Sequence, residues 1–79
     1  MDKYLIKYMY EYVVHYLAVG YEMSALWECT LEQQVNSALT IFTNPLLDGI
    51  FDYDKLDKIL NDKYKLKIVD RKTSQMIKL

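Results

Sequence analysis

Residues 2–16, DKYLIKYMYEYVVHY, contain no glycine or proline and repeat on an interval of four: Lys3, Lys7, Glu11 and His15. This recurrence limits the folds open to the chain more than any other feature, because an interval of four is compatible with two structures. On a helix it draws one polar stripe, with Leu5, Ile6, Met9, Val13 and Leu17 on the rest of the surface. On a strand it places Tyr4, Ile6, Tyr8, Tyr10, Tyr12, Val14 and Tyr16 on one face, where tyrosine, valine and isoleucine are favoured. The helix is the better reading. A strand of about thirteen residues is long for a small domain, and its second face would mix Leu5, Lys7, Met9, Glu11, Val13 and His15. In the helix, Tyr4, Tyr8 and Tyr12 flank the polar stripe with rings inward and hydroxyls in water. Gly20 supplies a C-terminal stop.

Further along, Thr30 and Gln33 have the spacing of a capping box. Leu31, Val35, Ala38, Leu39 and Phe42 then continue a helical stripe that Asn44-Pro45 ends. Residues 21–29 admit two readings, a short strand carrying Trp27 or a backward extension of this helix through Ser24. Trp27, Leu31 and Val35 share one face, which favours the extension. Asp48-Gly49 signals a turn. Asp52 or Asp54 is placed to cap a third helix with Leu56, Ile59 and Leu60 inward, its aspartates at the N-terminus and Lys63 near the end. In KYKLKIVD the period changes to two, with Tyr64, Leu66 and Ile68 against Lys65 and Lys67, the pattern of a half-buried strand. DRKTS reads as a turn and QMIKL as a returning strand.

The predicted fold is therefore a single α+β domain over residues 1–79, three helices followed by a C-terminal β-hairpin. This is the element order of a winged helix, an analogy of order alone. The alternative is ββα(α)β, with residues 4–16 and 21–29 as a Tyr-rich antiparallel pair.

The residue inventory narrows the chemistry. Cys29 is the lone cysteine and His15 the lone histidine, too few for a structural zinc site. Cys29 reads as a small buried hydrophobe in a reducing compartment. Asp52, Asp54 and Asp57 lack the glycine and closing glutamate of a calcium loop. Gly20 and Gly49, the only glycines, cannot build a phosphate loop, and His15 has no nucleophile at a motif spacing. The expectation is no catalytic residue, no metal and no cofactor. Charges at Asp2, Lys3, Lys7 and Glu11 interrupt any signal-peptide core, and no run is long enough to span a membrane. A cytoplasmic location is expected.

What remains is binding. Seventy-nine residues that are 52% hydrophobic, with eight tyrosines, exceed what a core of this size conceals, since a domain this small buries only roughly 60–65% of its unfolded surface. A homodimer or another protein partner is expected, with Lys3, Tyr4, Lys7, Tyr8, Glu11 and Tyr12 as the contact surface. Lys65, Lys67, Arg71 and Lys72 form a basic tip suited to nucleic acid or an acidic partner. The aspartates of the third helix and the net charge of −1 oppose a nucleic-acid role. Abundant lysine, isoleucine and tyrosine with a single arginine match an AT-rich genome. Small, motif-free chains of this composition are common among phage and mobile-element accessory proteins. The function expected is thus a non-enzymatic interaction module that binds and inhibits a host protein or defence complex. The alternative is a winged-helix-like nucleic-acid-binding transcriptional regulator.

Overall fold

The computed structural model describes residues 3–23, 29–40 and 51–79. The order is α1 (Lys3–Glu22), α2 (Leu31–Leu39), α3 (Tyr53–Tyr64), β1 (Leu66–Asp70) and β2 (Gln75–Lys78). This is the α+β order read from the sequence, and it excludes the Tyr-rich hairpin, because residues 4–16 lie inside one 20-residue helix.

The interval of four organises α1 in a way that a fixed stripe does not. Four residues advance about 400° on a helix of 3.6 residues per turn, so each rank of like residues precesses by about 40° per repeat. The rank of Leu5, Met9, Val13 and Leu17 begins exposed (Leu5, 39%) and then turns fully into the core. The tyrosine rank moves the same way, with Tyr4 72% and Tyr8 56% exposed while Tyr12 and Tyr16 pack half-buried against the core. Tyr4 and Tyr8 do not turn their rings inward as the stripe reading expected. The rank of Ile6, Tyr10, Val14 and Ala18 completes the buried face.

Gly20 does not stop α1. The helix runs to Glu22, and the Met23 N–H donates to the Val19 carbonyl at 3.0 Å. Burial of Leu17 and Ala18, with Tyr21 packed beside them, outweighs the roughly 1 kcal/mol that glycine costs within a helix. Residues 24–28, including Ser24 and Trp27, lie outside the described residues, as do Phe42, Asn44-Pro45 and Asp48-Gly49.

α2 begins at Leu31 with the expected capping box, so it does not extend backward through Ser24 as the shared face of Trp27, Leu31 and Val35 suggested. The Gln33 N–H donates to Thr30 Oγ1 at 3.1 Å, and the Thr30 N–H donates to Gln33 Oε1 at 2.9 Å. Leu31, Gln34, Val35, Ala38 and Leu39 are buried, and the helix ends at Leu39. In α3 the cap is Asp52, whose Oδ1 accepts from the N–H groups of Asp54 (2.9 Å) and Lys55 (3.2 Å). Leu56 and Leu60 are fully buried, and Ile59 packs beside them. The tie between α1 and the start of α3 is Tyr10. Its ring stacks on Phe51 at 4.5 Å, and its hydroxyl accepts the Asp52 N–H at 2.7 Å.

Tyr64 ends α3 instead of opening β1, so only Leu66 and Ile68 of the expected apolar face lie in the strand. Lys65 makes the corner in the left-handed region (φ 56°, ψ 40°), and its N–H donates to the Asn61 carbonyl at 3.1 Å. β1 and β2 pair antiparallel, Leu66 with Lys78, Lys67 with Ile77 and Ile68 with Met76, with a bulge before Asp70. The inner face presents Leu66, Ile68 and Met76 to the core. The Asp57 carboxylate accepts the Ile68 N–H at 3.1 Å, which covers part of the open edge of β1. No helix among the described residues is long and apolar enough to cross a membrane.

Candidate protein-docking face

α1 has two apolar sides. One builds the core. The other looks away from it, and on it and the turn that follows stand Tyr4, Leu5, Tyr8, Val19 and Met23, all at least 39% exposed. At about 100° per residue these five fall within an arc of about 100°, so they form one seam and not scattered points. Isolated exposed apolar residues are ordinary; five on one side of a helix are less so.

The two halves of the seam differ in relief. Toward the N-terminus the large rings of Tyr4 and Tyr8 stand proud. Toward the C-terminus the surface is hollowed into a groove of about 300 Å³, lined by Tyr12, His15, Tyr16, Val19, Gly20 and Met23, with Gln34 of α2 as its far wall. Gly20 lacks a side chain, which deepens the floor. The groove is predominantly apolar, with His15 and Gln34 at its margins.

One margin of the face is polar. Lys7 and Glu22 are exposed. Glu11 Oε1 lies 3.8 Å from Lys63 Nζ, both side chains more than a third exposed, a pairing worth only about 0–1 kcal/mol. His15 Nδ1 is hydrogen-bonded to the Tyr64 hydroxyl at 3.2 Å. These contacts fasten α1 to the end of α3 and fix the border of the seam.

Of the contact residues expected from the sequence, Tyr4, Lys7 and Tyr8 are exposed on α1, while Glu11 and Tyr12 are half-buried at its flanks. Lys3 opens the helix, and its side chain lies outside the described residues. Leu5, Val19 and Met23 were not anticipated as surface residues. The signal was the same interval of four, since Lys7, Glu11, His15 and Val19 form one rank that precesses into the exposed face.

The basic tip is arranged differently. Lys65, Lys67 and Lys72 are exposed. Arg71 donates to Asp54 Oδ1 at 3.1 Å and lies 5.4 Å from the centre of the Tyr53 ring. The turn itself is tied to the body: the Leu31 N–H donates to the Arg71 carbonyl at 2.7 Å, and the buried Ser74 hydroxyl donates to the Cys29 carbonyl at 2.6 Å. The hairpin packs along the domain and does not project from it as a wing does. The outward side chains of α3 alternate Asp54, Lys55, Lys58, Asp62 and Lys63, a poor match to a polyanion.

Cys29 is a free thiol and only half-buried, more accessible than a core position. No group of three or more His, Cys, Asp or Glu side chains among the described residues is placed to hold a metal ion. A scan against protein-family models finds no match, and searches of curated proteins and of solved structures find none either.

Proposed function

We propose that this chain is a non-enzymatic protein-interaction module whose docking surface is the outward face of α1. The observation that carries the reading is the seam of Tyr4, Leu5, Tyr8, Val19 and Met23, exposed along a helix whose opposite side is already fully committed to the core. Tyrosine brings large contact area at low conformational cost, and Lys7, Glu11 and Glu22 along the margin set register and orientation. The small size and lysine-rich, arginine-poor composition extend the proposal to a phage or mobile-element accessory protein that modulates a host protein by occupying its surface.

The test is affinity capture with the tagged chain against a Tyr4→Ala/Tyr8→Ala variant of unchanged circular dichroism. Both positions are more than half exposed, so the variant retains its fold. A protein retained by the parent chain and lost by the variant is the expected result. Identical capture by both chains, or capture by neither of any protein, an untagged copy of the chain included, overturns the assignment.

A further inference from the structure

Resting on that reading, we infer that the outward face of α1 is covered by a second copy of the same chain, packed antiparallel across a two-fold axis near residues 13 and 14. Three features of the face point to this occupant.

First, the seam is symmetric in spacing. Exposed positions 4 and 8 in one half and 19 and 23 in the other are spaced alike, with half-buried Tyr12 and exposed His15 between them. Read from opposite ends, the two halves superpose: 4 meets 23, 8 meets 19 and 12 meets 15. An antiparallel copy therefore sets Tyr4 on Met23, Tyr8 on Val19 and Tyr12 beside His15, and every contact occurs twice, as an isologous interface requires. Tyrosine over methionine and tyrosine over valine are favourable large-on-small pairings.

Second, the relief is complementary. Residues 12, 15, 16 and 19, followed by 16, 19, 20 and 23, are consecutive four-residue holes of the kind that receive a knob from a facing helix. Together with Gln34 of α2 they line the groove. In the same register the partner's Tyr8, 56% exposed, stands over the second hole. The exposed Tyr8 ring lies in the N-terminal half and most of the hollow in the C-terminal half, so the antiparallel pairing brings one to the other.

Third, the charges agree. Lys7 lies in the first half and Glu22 at the far end. Antiparallel packing brings Lys7 of each copy to within a turn of the other's Glu22, and Glu11 beside the other's His15. A parallel two-fold would instead put the polar margins of the two copies on opposite sides of the interface, so that Lys7 and Glu22 meet no opposite charge across the seam. The five exposed side chains offer roughly 600–700 Å² per copy, taking about 150–250 Å² for each aromatic. Complete burial of all five would total at most about 1,200–1,400 Å², the lower end of stable interfaces, so a reversible dimer is expected.

The test combines sedimentation with directed crosslinking of the full chain. Sedimentation equilibrium should show a reversible monomer–dimer system, and Tyr8→Ala should raise its dissociation constant by about ten- to a hundredfold, since each substitution acts twice. In a Cys29→Ser background, Tyr4→Cys and Met23→Cys chains should crosslink when mixed. Neither should crosslink with itself, because positions 4 and 23 are about 28 Å apart along the helix. A monomer at every concentration overturns the self-association. A dimer indifferent to Tyr8→Ala, self-crosslinking of Tyr4→Cys, or mass that grows beyond two copies overturns the geometry. Capture of a different protein through Tyr4 and Tyr8 by a strictly monomeric chain would sink this inference and leave the interaction reading standing.

Discussion

Tyr8 and Tyr10 are separated by one residue and have opposite roles, which makes the pair a sensitive test of the α1 assignment. Removing only the hydroxyl of Tyr10 (Tyr10→Phe) leaves the ring stacked on Phe51 at 4.5 Å and Lys55 Nζ 4.9 Å from its centre. What is lost is the 2.7 Å bond from the Asp52 N–H, in a partly buried site. A buried donor left without its acceptor costs about 1–3 kcal/mol. Asp52 is itself exposed, so water replaces part of the bond, and the lower end, about 1 kcal/mol, applies. For a domain of this size that lowers Tm by about 4–8 °C. The same deletion at Tyr8, 56% exposed, should change stability by less than about 0.5 kcal/mol. Urea unfolding followed by circular dichroism measures both, with unchanged slopes required for comparison. Equal effects at the two positions, or a larger one at Tyr8, would refute the assignment of Tyr10 to the core and Tyr8 to the outer face.

Lys65→Gly should stabilise the chain by about 0.5–1 kcal/mol, because Lys65 is exposed and held at φ 56°, a conformation glycine adopts without steric cost; a lower urea midpoint would contradict this. Asp52→Ala should cost about 1–2 kcal/mol, since one carboxylate oxygen serves two amides at the start of α3, and Asp52→Asn should recover most of it in the same assay. A labelled DNA duplex titrated at low salt should show no anisotropy change, because Arg71 is paired with Asp54 and the outward charges of α3 are mixed; salt-sensitive binding lost in Lys67→Ala/Lys72→Ala would restore the nucleic-acid reading.

Much of this architecture was legible in the sequence because its signals are local. The Thr30/Gln33 capping box, the Asp52 cap and the alternation after Lys65 each depend on residues within four positions of one another. The strand or helix question in the N-terminal segment was decided by which structure sorts residues better, and the helix sorts them. Less legible was which side of that helix faces in. A stripe drawn straight along the axis assigns Leu5 to the core and leaves Val19 unplaced, whereas ranks that precess by about 40° per repeat put Leu5 outside, Met9 inside and Val19 on the exposed face. The choice among Tyr4, Tyr8 and Tyr10 depends on where Phe51 and the start of α3 dock, contacts more than 40 positions away in the chain that no local pattern encodes. The tethering of the hairpin tip by Leu31 and Ser74 is equally non-local, and it separates this hairpin from a wing.

The precession also explains why one helix serves two surfaces. A heptad repeat, averaging 3.5 residues per turn, keeps its apolar residues in a nearly fixed seam and leaves the other side polar. A repeat of four carries each rank steadily around the axis, so that over five turns an apolar rank enters the core at one end and a polar rank gives way to an apolar residue on the outside at the other. α1 buries Met9, Val13 and Leu17 and exposes Val19, with Met23 exposed in the turn just beyond it, for this one geometric reason. A thin domain gains by it: the longest helix contributes to the core from Ile6 to Tyr21 while its far side remains available for contact. The same geometry places the projecting rings in the first half of the exposed face and the hollow in the second, because Tyr4 and Tyr8 precede the turn at which the tyrosine rank moves toward α2 and Gly20 takes its next place. Relief of that kind, convex at one end and concave at the other on a single straight element, complements itself when reversed.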